Sequence, residues 1–137
     1  MEKRTFVTIL NNEQIPSIAI LMCTYNGERF LTEQLDSIFK QHHTNTCLYV
    51  SDDGSSDNTL AILQKYQAMW GADRIIILQG PKNGFAANFL SLINNNDIQA
   101  DYYALSDQDD IWESQKLTRA LNTLSPLPHS TPNLYCA

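Results

Sequence analysis

Apolar residues along this chain follow two alternating rhythms. Unbroken apolar runs occur at 18–23, 47–50, 75–78 (in a strand read from Arg74 to Leu78) and 102–105, each bounded by turn-forming or polar residues. Runs of that length suit strands buried on both faces. Between them the apolar positions recur at helical intervals. In 28–41 they are Phe30, Leu31, Leu35, Ile38 and Phe39, with Asn26 placed to cap and Glu28 in the first turn, where the helix dipole favours an acid. In 58–66 the inward set is Leu60, Leu63 and Tyr66, and in 85–94 it is Phe85, Phe89, Leu92 and Ile93. A last helix is expected over about 114–124. Strand-then-helix repeated in this way predicts an α/β fold, a doubly wound and mainly parallel sheet with right-handed crossovers.

The two ends are less regular. Residues 1–15 contain Phe6-Val7-Thr8-Ile9-Leu10, which suits either a small extra strand or an ordered arm. At the other end a Pro-rich connector over 125–132 leads to Leu134-Tyr135-Cys136-Ala137, which reads as the start of a further strand, cut off. Residues 16–137 are expected to form one domain, because 137 residues with 43% apolar content supply one core and little more.

Charge narrows the partners. Nine basic and fifteen acidic side chains leave a formal charge of −6, the wrong sign for a general nucleic-acid binder, which needs a basic face to displace counterions. An anionic ligand would need a cation to accompany it. The three cysteines, Cys23, Cys47 and Cys136, lack C-x-x-C spacing and are read as free thiols of a reducing compartment. No stretch reaches the roughly 20 apolar residues of a membrane span, and Met1-Glu2-Lys3-Arg4-Thr5 is not followed by a signal-peptide core. The chain is therefore expected in the cytoplasm, with peripheral contact at the inner membrane face left open. His42 and His43 fall at a helix end, where they complement the macrodipole.

Chemistry concentrates in two acidic clusters at strand ends. Asp107-Gln108-Asp109-Asp110 follows the fourth strand, where an extended backbone turns Asp107 and Asp109 to one side. Mg²⁺ or Mn²⁺ takes one or two such carboxylates and completes its shell with water and phosphate. The same cluster also suits an acidic helix start capped by Asp109 or Asp110. Ser51-Asp52-Asp53-Gly54-Ser55-Ser56-Asp57 reads partly as a turn with Ser56 or Asp57 capping the next helix. Capping leaves the adjacent pair Asp52-Asp53 unexplained, since like charges repel unless donors or a ligand engage them. A carboxylate there can accept the imide N–H of a pyrimidine. Tyr25 can offer an aromatic face to the same base, or pack as a core tyrosine.

Four ordered motifs, Cys23-Thr24-Tyr25-Asn26-Gly27-Glu28, Ser51 to Thr59, Asn83-Gly84-Phe85-Ala86-Ala87-Asn88-Phe89, and Leu105-Ser106-Asp107-Gln108-Asp109-Asp110-Ile111-Trp112, together resemble the nucleotide-binding half of family 2 glycosyltransferases. The similarity covers about 16–137. Its last motif is most like the bacterial branch that builds surface polysaccharides and decorates glycoproteins, rhamnosyltransferases among them. The resemblance implies a GT-A fold, a nucleoside-diphosphate-sugar donor (a UDP- or dTDP-sugar), and Mn²⁺ or Mg²⁺ bridging the diphosphate to the DXD motif.

By position, the resemblance assigns base stacking to Tyr25 and base hydrogen bonding to Asp53 with Asp52 beside it. It places Asp107 at the ribose or sugar and at the metal, and Asp109 at the metal. Thr24, Asn26, Glu28 and Gln108 join the nucleotide-sugar crevice, while Asn83, Gly84 and Asn88 shape the donor pocket. Lys82 is the nearest cation for phosphate, because the family's usual basic positions before Asn88 are here Ala86 and Ala87. The resemblance implies an inverting transfer to a glycan or glycoprotein acceptor, and its catalytic base is expected beyond residue 137. A competing expectation is a donor-binding module that is inactive alone and works by self- or hetero-assembly, so a homo-oligomer is anticipated. A dinucleotide oxidoreductase lacks its G-x-G-x-x-G after the first strand, and a phosphorelay receiver would not carry its second acidic cluster so far downstream.

Overall fold

A computed structural model describes residues 14–136. Four strands and four helices alternate along it: β1 (Ile18–Thr24), α1 (Glu28–Phe39), β2 (Thr46–Asp52), α2 (Thr59–Trp70), β3 (Ile75–Gln79), α3 (Phe85–Ile93), β4 (Tyr102–Asp107) and α4 (Lys116–Leu124). All pairings are parallel and the sheet order is β3-β2-β1-β4. The chain thus winds outward from β1 to β3 and then returns to the far side of β1. Between β1 and β4 the winding reverses, which is where open α/β sheets bind ligands at the carboxyl ends of their strands.

β1 is buried at every position, and its alternation divides the core into two layers. Ile18, Ile20 and Met22 pack with Leu31, Leu35 and Ile38 of α1, Leu63 and Tyr66 of α2, and Trp112 and Leu117. Ala19, Leu21 and Cys23 face Leu92 and Ile98 on the other side. Each fully buried aliphatic side chain contributes about 1.5–3 kcal/mol from leaving water. Tyr66 also ties α2 to α1, its hydroxyl donating to Asp36 at 2.6 Å. Arg74 lies over the stacked Phe39 and Trp70 rings, 5.6 and 5.5 Å from their centroids.

Several expected core positions are exposed. Phe30, Leu60, Phe85 and Ile93 face solvent, because each lies on the outer flank of its helix while one stripe suffices to cover a strand pair. α3 has nine residues and covers β1 and β2, so Tyr103 and Leu105 of β4 stay more than half exposed on its side of the sheet. Residues 134–136 form no strand. Phe6–Leu10 lies outside the described residues. His42 and His43 fall beyond the last turn of α1, and the His43 ring meets the Pro16 carbonyl at 2.7 Å.

Candidate functional site

The carboxyl ends of all four strands open into one cavity of about 740 Å³. β1 supplies Cys23, Thr24 and Tyr25; the β2 end supplies Asp53 and Gly54; the β3–α3 turn and α3 supply Lys82, Gly84, Phe85 and Asn88; and the β4 end supplies Asp107, Gln108 and Asp109. Nine of the thirteen residues assigned by resemblance, Asp107 and Asp109 among them, thus converge in one concavity. Asn26, Glu28, Asp52 and Asn83 do not line it.

Asp52 is corrected from ligand group to internal pin. It is 3% exposed, and both its oxygens are occupied. Oδ1 accepts from the Thr24 hydroxyl (2.9 Å) and the Ser55 hydroxyl (2.6 Å), and Oδ2 accepts from the Gly54 N–H (3.2 Å) and Ser55 N–H (2.9 Å). Donors therefore resolve the like-charge conflict of the Asp52-Asp53 pair on one side. On the other, Asp53 accepts from the Lys82 N–H at 2.6 Å and the Gly84 N–H at 3.2 Å, so the second and third loops are tied together across the cavity floor.

Asn26 and Glu28 are structural in the same way. The N-cap position of α1 is Gly27, not Asn26, and neither α1 nor α2 has a side-chain cap hydrogen bond from its own N-cap residue. The two helix starts cap each other instead. Glu28 N–H donates to Asp57, Gly27 N–H to the Thr59 hydroxyl and Asn26 N–H to the Ser55 hydroxyl. In return Glu28 accepts from Asn58 N–H, and Asn26, at a left-handed φ of 46°, accepts from Ser56 N–H. Asp57 also accepts from the Thr59 N–H, so it serves both helices. Burial works to raise the Asp57 pKa, but these hydrogen bonds outweigh it and hold the carboxyl below its ordinary range.

The cation side of the cavity is sparse. Lys82 is the one lysine or arginine lining it and has no carboxylate within ion-pair reach among the described residues. Its stem runs across Gly54, where an added Cβ would lie 3.1 Å from the lysine Cε; Gly54 also has φ +89°, a conformation that favours glycine. Asn88 is 1% exposed and donates to the Ser51 carbonyl, leaving Oδ1 as an unpartnered buried acceptor beside Gly80.

The acidic loop divides its labour. Asp110 accepts from the Trp112 indole N–H at 3.1 Å and pairs with Lys116 at 3.5 Å, so it is spent on structure. Asp107 and Asp109 face the cavity. Burial, then Asp109 and Asp110, push the Asp107 pKa upward, the mark of carboxylates gathered without a counter-charge. Among the described residues no group of three His, Cys, Asp or Glu converges to hold an ion by itself. Two carboxylates suit Mg²⁺ or Mn²⁺, which typically take one or two from the protein and the rest from water and phosphate.

One supporting set was missed from sequence. Gln34 and Ser37 of α1 and Gln41, just past its end, are buried. Gln34 donates to the Ser106 hydroxyl, Ser37 accepts from Trp112 N–H, and Gln41 accepts from Leu117 N–H and donates to the Glu113 carbonyl. They stitch the segment carrying the acidic loop to the helix. The signal was present in the 34, 37, 41 spacing, which aligns three polar residues on the helix expected over 28–41, although the observed helix ends at Phe39.

Comparison with known proteins agrees with this geometry. The profile described as Glycosyl transferase family 2 matches residues 19–134. The dTDP-rhamnosyl transferase RfbG of Shigella flexneri is 41% identical over 105 residues, covering 75% of this chain and 36% of that protein. EpsE of Bacillus subtilis is 33% identical over 114 residues, covering 83% and 40%. The chain therefore spans well under half the length of these relatives. Among solved structures, S. aureus TarS 1-349 superposes with a TM-score of 0.66 at 25% identity, over 80% of this chain and 32% of that one. The mannosyltransferase PcManGT from Pyrobaculum calidifontis, solved in complex with GDP-Man and Mn²⁺, gives 0.73 at 19% over the same shares, a likeness of fold alone. The parallel sheet is the GT-A arrangement, and the chain belongs to glycosyl transferase family 2.

Proposed function

We propose that residues 16–137 are the donor-binding part of an inverting glycosyltransferase that takes a UDP- or dTDP-sugar and serves bacterial surface glycan synthesis, with a glycan or glycoprotein as acceptor. The observation that carries this is the cavity at the reversal point of the sheet, where an exposed tyrosine, an unpaired lysine and three aspartates face one space. Tyr25 stacks on the base, and Asp53 meets the base at the cavity floor. Lys82 neutralises phosphate, and Gly84 and Asn88 form the wall opposite β4. The name of the Shigella relative favours deoxythymidine diphosphate among the donors.

Asp107 and Asp109 would hold Mn²⁺ or Mg²⁺, which when bound offsets the charge of the departing diphosphate. In the reaction an acceptor hydroxyl attacks the anomeric carbon, the bond to the diphosphate breaks, and the hydroxyl proton passes to a carboxylate. Glu113 does not suit that task, since it is paired with Arg119 at 2.7 Å on the surface; the base belongs to a region beyond residue 137. We place the chain in the cytoplasm with its acceptor at the inner membrane face, which cell fractionation would check. No helix among the described residues is long and apolar enough to cross a membrane.

The test is calorimetric titration with UDP, dTDP and GDP in Mn²⁺ or Mg²⁺ and then in chelator, repeated on Asp109→Ala. Metal-dependent binding of one diphosphate, lost in the variant, is the expected result; no binding under any condition would refute the proposal. A second function, a donor-binding module that works only when assembled, is favoured by the exposed Tyr103, Leu105, Phe85, Leu90 and Ile93 on one side of the molecule. Light scattering at the monomer mass of 15.5 kDa at high concentration would exclude self-assembly.

A further inference from the structure

Tyr25 is 57% exposed. No core packing fixes so exposed a ring, so its direction depends on the backbone of its own residue. That backbone is gripped from across the cavity. Gln108, between the two cavity-facing aspartates, accepts the Tyr25 N–H on Oε1 at 2.9 Å and donates from Nε2 to the Tyr25 carbonyl at 3.1 Å. One side-chain amide thus satisfies both main-chain groups of one residue 83 positions away, and the donor and acceptor roles fix which way the amide faces.

A seat is cleared for this grip. A Cβ added to Gly27 would overlap the Gln108 amide, with the amide carbon at 2.7 Å. Gly27 has φ −101°, open to any residue, so its lack of a side chain serves space and not backbone conformation. The three groups belong to two loops, one ending β1 and one ending β4, that share no other side-chain hydrogen bond among the described residues.

We infer that Gln108 is a positioning residue that does not itself bind the nucleotide sugar: it couples the acidic loop of Asp107 and Asp109 to the Tyr25 loop, so that the cation end and the base end of the site are organised together. This rests on the donor-site function proposed above. Anything that draws the β4 loop toward a bound diphosphate also holds Tyr25 in register, and loss of the grip frees the ring while leaving every ligand-facing group in place.

Gln108→Met keeps bulk and removes both hydrogen bonds. Gly27→Ala leaves Gln108 intact and displaces it, the far end of a flexible side chain moving at small cost to the fold. Both variants, and their combination, are titrated with UDP and dTDP in Mn²⁺, in the unaltered and in the Tyr25→Leu background, with competition extended to millimolar nucleotide. Each single variant is expected to weaken binding about tenfold, equivalent to about 1.4 kcal/mol, and the pair no more than either alone. In the Tyr25→Leu background the loss is expected to shrink to less than about twofold, a coupling that a residue acting through another must display. Unfolding midpoints stay unchanged. Equal losses in both backgrounds would mean that Gln108 touches the ligand itself, and unchanged affinity would mean that the grip is idle; either overturns the inference while the donor site stands. Absence of nucleotide binding by the unaltered chain would instead remove the donor site, and the inference with it.

Discussion

Asp52→Ala separates structural from ligand-facing carboxylates most sharply. The variant removes the acceptor of four hydrogen bonds, two from hydroxyls and two from main-chain N–H groups. Gly54 is exposed and Ser55 half-buried, so their freed donors regain water and cost little. Thr24 is 1% exposed, and its hydroxyl is stranded. An unsatisfied buried donor costs about 1–3 kcal/mol, and hydrogen bonds to a charged acceptor are worth about 1.5–3 kcal/mol each without being additive. With three of the four rehydrated and the Thr24 hydroxyl stranded, the expected loss is about 3 kcal/mol. Urea slopes of roughly 1–3 kcal/mol/M for small domains convert this to a midpoint fall of about 1.5 M at mid-range.

The assay is urea unfolding followed by circular dichroism, alongside Thr24→Val and the double variant. In the Thr24→Val background no hydroxyl remains to be stranded, so Asp52→Ala should cost about 1–2 kcal/mol less. Asp109→Ala, at an exposed position, should leave the midpoint within the roughly 0.5 kcal/mol usual for surface changes. A midpoint unmoved by Asp52→Ala together with abolished nucleotide binding would refute the reasoning, because Asp52 would then be a ligand group and not the pin of its loop.

Three further outcomes follow from the same geometry. The Asp107 carboxyl holds its proton above its ordinary range in the folded chain, so its contribution to stability is fully present below the unfolded pKa and lost as pH rises through the folded value; Asp107→Asn should raise the metal-free melting temperature at neutral pH, leave it unchanged in strong acid, and abolish metal-dependent nucleotide binding. Asp57 has the opposite sign: its lowered pKa stabilises the fold above the unfolded value and ceases to do so as pH falls through the folded one. Thermal melts of Asp57→Asn across the acid range should therefore show lower stability at neutral pH and a shallower acid decline. Cys23 lines the cavity, yet burial, then Asp53 and Asp107, push its thiol up to about 12; alkylation followed by mass spectrometry should modify exposed Cys136 first and Cys23 last at neutral pH. Preferential labelling of Cys23 would contradict that electrostatic description.

The alternation of short apolar runs with helical spacing was enough to predict the α/β architecture, because β1 is buried on both faces and so carries no polar alternation to confuse it with an edge strand. Four ordered motifs were enough to identify the family and to bring Tyr25, Asp53, Lys82, Asn88, Asp107 and Asp109 to one place, since every motif follows a strand and parallel strands deliver their ends to one edge. Local pattern could not say which flank of a helix meets the sheet. Phe30 and Phe85 are apolar at helical spacing and still point outward, because burial depends on how much sheet a helix covers and not on its own periodicity.

Nor could sequence divide adjacent carboxylates. Asp52 and Asp53 are neighbours of one type, but successive residues leaving a strand face opposite ways, and only the packed loops decide that the first meets Thr24 and Ser55 while the second reaches the Lys82 and Gly84 N–H groups. The same holds for Asn26, Glu28 and Asp57, whose acceptors serve a helix start some 30 residues away in sequence. Composition and periodicity determined the elements, their order and the edge at which chemistry gathers. Tertiary structure alone decided which polar groups at that edge are consumed by one another and which remain turned toward the cavity, because hydrogen-bond partners are chosen by proximity in space.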